Sequence, residues 1–301
     1  MRALVRLLAL WLALLCAPAF ALDVAVVVSQ RDGVHKAFAD AFMRAAAGLG
    51  HRVFDIGSPA EGLDDVALAG ADLVVASGEA AAELALAHQA RPTLVTMIAR
   101  SRFEVLRNAH PQAPLSAWLL DQPVERHLRL LRAVVPDRTR VGLLFGGNVD
   151  AEAALQAAAP DFGLTLAIRQ VRSDKALIAS LEEVLSASEV LLALPDPLLS
   201  SPIAARAILL TSYRYQKPII AFSRAYVTAG ALAAVFITPE QVAGDLIDWL
   251  RTQDDARLSL PPPQSPASFE IAVNRQVARA LGIKVPDDGE LLRLTAGGGR
   301  P

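Results

Sequence analysis

An α/β protein of two Rossmann-like lobes with parallel sheets is what this 301-residue sequence predicts, and three observations carry the prediction. Short, continuous apolar runs such as Val24 to Val28 and Val141 to Phe145 have the composition of strands buried on both faces. Segments with apolar residues at helical spacing separate them, so the strands join through βαβ crossovers, which are nearly always right-handed. The series then recurs. DVAVVV at Asp23 matches RVGLLF at Arg140, RVFDI at Arg52 matches LAIRQV at Leu166, ADLVVASGE at Ala71 matches SEVLLALPD at Ser188, and RPTLVTM at Arg91 matches KPIIAFS at Lys217. The common order and near-constant offset indicate two similar halves in tandem.

The chain opens with Arg2 and Arg6, an apolar stretch from Leu7 to Leu15, and Ala19-Phe20-Ala21. That is the layout of a secretory signal peptide, with cleavage expected after Ala21 and a periplasmic destination. Cys16 is the only cysteine. Leu15 before it is larger than a lipidation site favours, so the mature chain is expected to have no thiol or disulfide chemistry.

In the first half, strands are expected at Val24 to Val28, Arg52 to Ile56, Leu73 to Ala76, Thr93 to Met97 and Leu115 to Leu119. Helices are expected at His35 to Leu49 and Ala80 to Gln89, with Ala60 to Ala69 a short helix or loop. The second half repeats the rhythm: helix Val124 to Val135, strand Val141 to Phe145, helix Asp150 to Phe162, strand Leu166 to Val171 and helix Lys175 to Ala187. Apolar runs from Val190, from Ile219 to Phe222 and from Leu232 to Phe236 follow. Thr238 and Pro239 have the residue types of an N-cap and a first helical position, opening a helix over Gln241 to Arg251. A linker at Pro261 to Pro263, a strand from Phe269 to Val273, a helix from Arg275 to Leu281 and a disordered tail over 295–301 complete the chain.

Ligands of open parallel sheets sit beyond the carboxyl ends of the strands. The candidate binding residues therefore stand at strand ends: Ser29 and Gln30, Ser77-Gly78-Glu79 and Met97 from the first half, facing Gly147-Asn148, Asp196 and Ser223-Arg224 from the second. Ser77-Gly78-Glu79 also opens a helix, whose free N–H groups suit an anion. Asp196, held between Pro195 and Pro197, suits a ligand amine or hydroxyl, against the alternative that it bonds its own loop. Arg224 suits an anionic ligand or an ion pair with Asp121, the pairing being favoured. Tyr226, Phe222, Trp118 and Trp249 read first as packing residues.

The near-neutral formal charge of −2 argues against a nucleic-acid partner. Neither a P-loop, a G-x-S-x-G elbow nor a G-x-G-x-x-G fingerprint occurs, and the five histidines are scattered. No cofactor, no metal and no catalytic residue is expected.

The run LPDPLLSSPIAARAILLTSYRYQKPIIAFSRAYVTAGALAAVFITPEQVAGDL, then FEIAVNRQVARALGIKVPDDGELL, with QPVERHLRLLRAVVPDRTRVGLLF before them, resembles the periplasmic substrate-binding proteins of ABC transporters, in the branch that includes tryptophan- and tyrosine-type binders. The resemblance implies a type I periplasmic-binding fold with a three-crossing hinge. It places the crossings near Leu120 to Gln122, near Phe222 to Arg224 and after Leu260. Lobe one would be 22–119 with 224–259, and lobe two 120–223 with 260–294. It implies that Ser77-Gly78, Asn148, Asp196 and Ser223 line the cleft, that a monomer closes on a small polar or amino-acid-like ligand, and that a membrane permease receives it. A membrane sensor or receptor accessory is the alternative partner, and a cleft enzyme the more distant one.

Overall fold

The computed structural model describes residues 22–88, 91–146, 149–196, 199, 201–253 and 258–297. The expected leader with its cleavage point, Gly147, Asn148 and Pro197 lie outside the described residues.

Unbroken apolar runs cannot leave a face to water, so each becomes a strand covered by helices on both sides. The first unit contains β1 (Asp23–Val28), α1 (Gly33–Ala46), β2 (Arg52–Ser58), β3 (Gly62–Leu63), α2 (Asp65–Gly70), β4 (Leu73–Ser77), α3 (Glu79–His88), β5 (Thr93–Ile98), α4 (Arg100–Ala109) and β6 (Leu115–Leu119). The second contains α5 (Val124–Val134), β7 (Arg140–Phe145), α6 (Val149–Ala158), β8 (Thr165–Gln170), α7 (Leu177–Ala187), β9 (Val190–Leu192), α8 (Pro202–Arg214), β10 (Ile219–Ala221), α9 (Arg224–Ala229) and β11 (Ala233–Phe236). Then come α10 (Pro239–Leu250), β12 (Glu270–Val273), α11 (Arg275–Ala280) and α12 (Asp288–Ala296).

The sheets run β3-β2-β1-β4-β5-β6 and β12-β11-β10-β9-β7-β8. Among the described residues only β3 on β2 and β12 on β11 are antiparallel. Without those edges the two orders are the same winding, β2-β1-β4-β5-β6 and β8-β7-β9-β10-β11. The four matched sequence pairs are thus structural counterparts, and β6 and β11 form a fifth pair.

That fifth pair corrects the expected lobe boundaries. Ala233–Phe236 pairs in parallel with Ile219–Ala221, so the chain does not recross at Phe222 to Arg224. It recrosses after Phe236, and α10 sends Val242, Leu246, Ile247 and Leu250 into one core with Phe38 and Phe42 of α1. The exchange is reciprocal: after β6, α5 packs Leu128, Leu131 and Val134 with Val141 and Leu143 of the second sheet. A third crossing follows Gln264, which still pairs beside β6 through Leu119 N–H to Gln264 O and Gln264 N–H to Ala117 O, both 2.9 Å. Residues 260–264 therefore stay with the first sheet rather than opening lobe two.

Two smaller readings also change. Residues 295 and 296 end α12, with Leu291 and Thr295 fully buried, so the tail begins later than expected. The stretch after β5, which carried no predicted element, is helix α4, held by buried Phe103 and Leu106. Thr238 caps α10 in a reciprocal box with Gln241, as the sequence indicates. Among the described residues no helix is long and apolar enough to cross a membrane.

Candidate ligand-binding cleft

Each crossing leaves from the carboxyl end of a sheet, so the strand ends of both units border the hinge. The first unit's ends are tied together. Ser29 donates its N–H to Ser77 O at 2.9 Å, and its Oγ accepts the N–H of Ala81 in α3 at 3.0 Å. Ser77 Oγ lies 3.2 Å from His35 Nδ1, and Gly78 donates to Thr96 O at 2.8 Å. Gly78 has φ +96°, and a Cβ there would stand 2.5 Å from both His35 Cε1 and Ser29 Oγ. Burial lowers the His35 pKa, keeping this ring neutral.

The helix start at Ser77-Gly78-Glu79 is less suited to an anion than its sequence suggests. Ser29 already caps Ala81, and the Glu79 carboxylate accepts two bonds from Arg102, at 2.8 and 2.7 Å. That pairing raises the Arg102 pKa. Gln30 is exposed, and its neighbour Arg31 is drawn to Asp55 and Glu61. Met97 has φ +52°, at a register shift between Val95 and Ile98 in the β5–β6 ladder. Its side chain packs in the core with Val24, Leu94 and Trp118.

In the second unit, Asp196 is buried. Its Oδ2 accepts the N–H of Gly146 at 2.8 Å and its Oδ1 that of Leu199 at 3.3 Å. The loop-bonding alternative therefore describes these contacts: Asp196 ties the end of β7 to the end of β9. Asp196→Ala should lower the unfolding free energy by about 2–4 kcal/mol, because two N–H groups lose a charged acceptor. Urea denaturation checks this; an unchanged midpoint would show that the loop re-pairs.

Ser223 caps α9, accepting from Tyr226 N–H at 3.3 Å. Arg224 pairs with Glu270 at 2.7 Å and lies 5.0 Å over the Phe236 ring, so the expected pairing with Asp121 is replaced by one across the β11–β12 edge. Tyr226 packs against Phe222 at 5.2 Å, and burial pushes its phenol up to about 12. Trp118 and Trp249 pack against each other at 5.7 Å, joining β6 to α10.

What joins the two units is a cavity of about 330 Å³ at the crossings, its wall including Arg100, Asp121, His127, Ala151, Pro195 and Ser265. Asp121 Oδ2 accepts the N–H of Arg100 at 2.6 Å, and burial raises the Asp121 pKa against that bond. Arg100 donates to Ser265 Oγ on the third crossing at 3.3 Å. His127 is fully buried; burial and the neighbouring Arg126 charge push its pKa down to about 3. Arg126 holds the third crossing through Pro266 O at 3.2 Å and lies 4.5 Å over the Phe269 ring. From the other side Asp245 accepts from Ser268 Oγ at 3.1 Å.

These hinge residues were missed by sequence reasoning as binding residues. Asp121-Gln122-Pro123 ends a buried strand with the same polar punctuation as the other candidates, and that signal could have found Asp121. Arg100 and Ser265 reach the cavity only through tertiary packing. Among the described residues no cluster of His, Cys, Asp and Glu could hold a metal ion.

Residues 119–294 match a family model described as ABC transporter substrate binding protein. No curated protein matches the chain. Among solved structures, a ligand-free, open substrate-binding protein with adhesive properties from Clostridium difficile is similar at 16% identity, TM-score 0.65, over 88% of this chain and 96% of that one. A conserved domain protein from Vibrio cholerae gives 17%, 0.62, 89% and 96%. A Streptococcus pneumonia ABC domain in complex with L-Trp gives 18%, 0.61, 90% and 97%. These likenesses show a type I periplasmic-binding fold.

Proposed function

The chain belongs to the ABC transporter substrate-binding protein family, and on that premise we propose that it captures a small polar or amino-acid-like ligand between its lobes and delivers it to an ABC-type membrane transporter. The observation that carries the reading is the hinge cavity, whose wall draws on both sheets' strand ends and on two crossings. A ligand there touches both lobes only when they are closed, so it stabilises the closed state by its differential contacts. Ser29, Gln30, Ser77, Gly78 and Glu79 form one wall of the cleft, with Met97 turning the backbone behind them. Asp196, Ser223 and Arg224 form the other. A relative of the same fold holds L-Trp, which agrees with an amino-acid-like ligand. The leader exports the chain to the periplasm, where it works as a monomer, binding without turnover.

Isothermal titration against a metabolite panel, with small-angle scattering on each hit, tests the reading. The expected result is a ligand whose binding lowers the radius of gyration. A broad panel without a binder, and no compaction under any condition, would overturn it.

A further inference from the structure

Helix α8 is apolar on the side it turns to water as well as on the side it buries. Ala204 and Ile208 face the core, while Ile203, Leu210 and Tyr213 are 84%, 56% and 80% exposed. Together with Arg206 they recur at the three- and four-residue spacing that puts side chains on one face of a helix, a stripe about 15 Å long. Arg214, four residues after Leu210, adjoins it. The stripe continues into a cavity of about 630 Å³ between α8 and α9, walled by Leu209, Leu210, Phe222 and Tyr226. Arg206 is the one charged residue of that wall among the described residues. Single exposed apolar side chains are ordinary, but a contiguous patch marks an interaction surface. None of the stripe residues lines the hinge cavity.

Charge indicates what covers this face. Between Asp196 and Glu240 the sequence carries Arg206, Arg214, Lys217 and Arg224 and no acidic residue, in a chain of net charge −2. Among the described residues the carboxylates within 4.0 Å of these four are Glu182 of α7, at 4.0 Å from Arg214, and Glu270 of β12, at 2.7 Å from Arg224. Arg206 and Lys217 have none. A second copy of the chain would bring this basic face against itself. A helix of another protein laid along the stripe would bury Arg206 between Ile203 and Leu210, and a buried charge needs a partner in fixed geometry. An anionic bilayer accommodates both kinds of residue at once. Apolar side chains and tyrosine enter the headgroup boundary, while arginines beside them extend to the phosphates.

We infer that the outward face of α8 is a docking surface for an anionic phospholipid bilayer. Ile203, Leu210 and Tyr213 enter the interface, and Arg206, Arg214 and Lys217 meet phosphate groups. The inference is independent of ligand capture, which uses other residues.

Sedimentation of the mature chain with extruded vesicles tests it, using mixed phosphatidylglycerol and phosphatidylcholine against phosphatidylcholine alone, at low and high salt. The expected result is binding to the anionic vesicles that weakens as salt rises, with little binding to phosphatidylcholine. Arg206→Gln should weaken binding about fivefold, the usual effect of one basic residue near such a surface. Ile203→Ser combined with Leu210→Ser should weaken it at least about tenfold. Val66, also 84% exposed but beside Asp64 and Asp65 in lobe one, provides the control, and Val66→Ser should leave binding unchanged. All the substituted side chains are exposed, and thermal unfolding of each variant checks that the fold is kept. No binding to anionic vesicles, or binding that survives the double substitution, overturns the inference. A concentration-dependent dimer lost in Leu210→Ser gives the stripe to a second copy and overturns it too. So does binding to native membrane vesicles that protease treatment of those vesicles abolishes, which gives the stripe to a protein partner. Ligand titration of the double variant should match that of the native chain, so failure here leaves the capture function standing.

Discussion

Between pH 6.5 and pH 4 the protein should lose about 3 kcal/mol of stability through His127 alone. In the fold its pKa is pushed down to about 3, first by burial and then by the Arg126 charge; unfolded, it returns to about 6.5. Within that window the unfolded chain binds the extra proton, so stability falls as pH falls, at about 1.4 kcal/mol per pH unit. Asp121 faces the same cavity with a raised pKa and works in the opposite direction, favouring the fold as pH drops through its folded value. Glu189, lowered by bonds from the Arg140 and Thr139 N–H groups, and Glu61, lowered by Arg31, add to the acid loss. They are screened by solvent and contribute little. Urea midpoints at the two pH values, for the native chain and for His127→Phe, isolate the histidine. The drop should be smaller in the variant by most of the 3 kcal/mol. An equal drop in both would mean that the imidazole finds a partner once protonated.

Strands were the most legible part of the sequence because they are buried on both faces. Val24 to Val28, Leu73 to Ser77 and Val141 to Phe145 are buried along their length, and continuous apolar residues are the direct record of that. The repeat carried further information. Extended from four pairs to five, it would have matched Leu115–Leu119 with Ala233–Phe236 and put the second crossing after Phe236. Helix α4 was harder to read, since only Phe103 and Leu106 of its ten residues are buried and its start is capped by Asp121 from 21 positions away. Helix α12 likewise buries only Leu291 and Thr295.

The site was less legible than the fold, for a physical reason. A polar residue at a strand end either faces the ligand or secures the loop, and the local sequence is the same in both cases. Asp196 and Ser223 secure loops here, through Gly146, Leu199 and Tyr226. Arg100, His127 and Ser265 acquire their positions from how three crossings pass one another, which no local pattern records.

Gly78→Ala should destabilise the first lobe by about 2–6 kcal/mol and weaken ligand binding with it. Two costs add. At φ +96° an alanine holds an unfavourable backbone, worth about 1–3 kcal/mol. Its Cβ would also stand 2.5 Å from His35 Cε1 and from Ser29 Oγ, and overpacking of that kind costs about 1–3 kcal/mol. Neither neighbour moves freely: Ser29 Oγ caps α3 through Ala81, and His35 lies 3.2 Å from Ser77 Oγ. Relieving the clash therefore shifts two strand ends of the proposed cleft together. Gly163 provides the comparison, because it has φ +65° with nothing within 4 Å of a Cβ. Gly163→Ala should show the backbone cost alone, about 1 kcal/mol, and leave binding unchanged. Thermal unfolding and titration of both variants separate strain from packing. Equal losses at the two glycines would mean that the Ser29–His35–Ser77 cluster yields at no cost and does not hold the cleft wall in place.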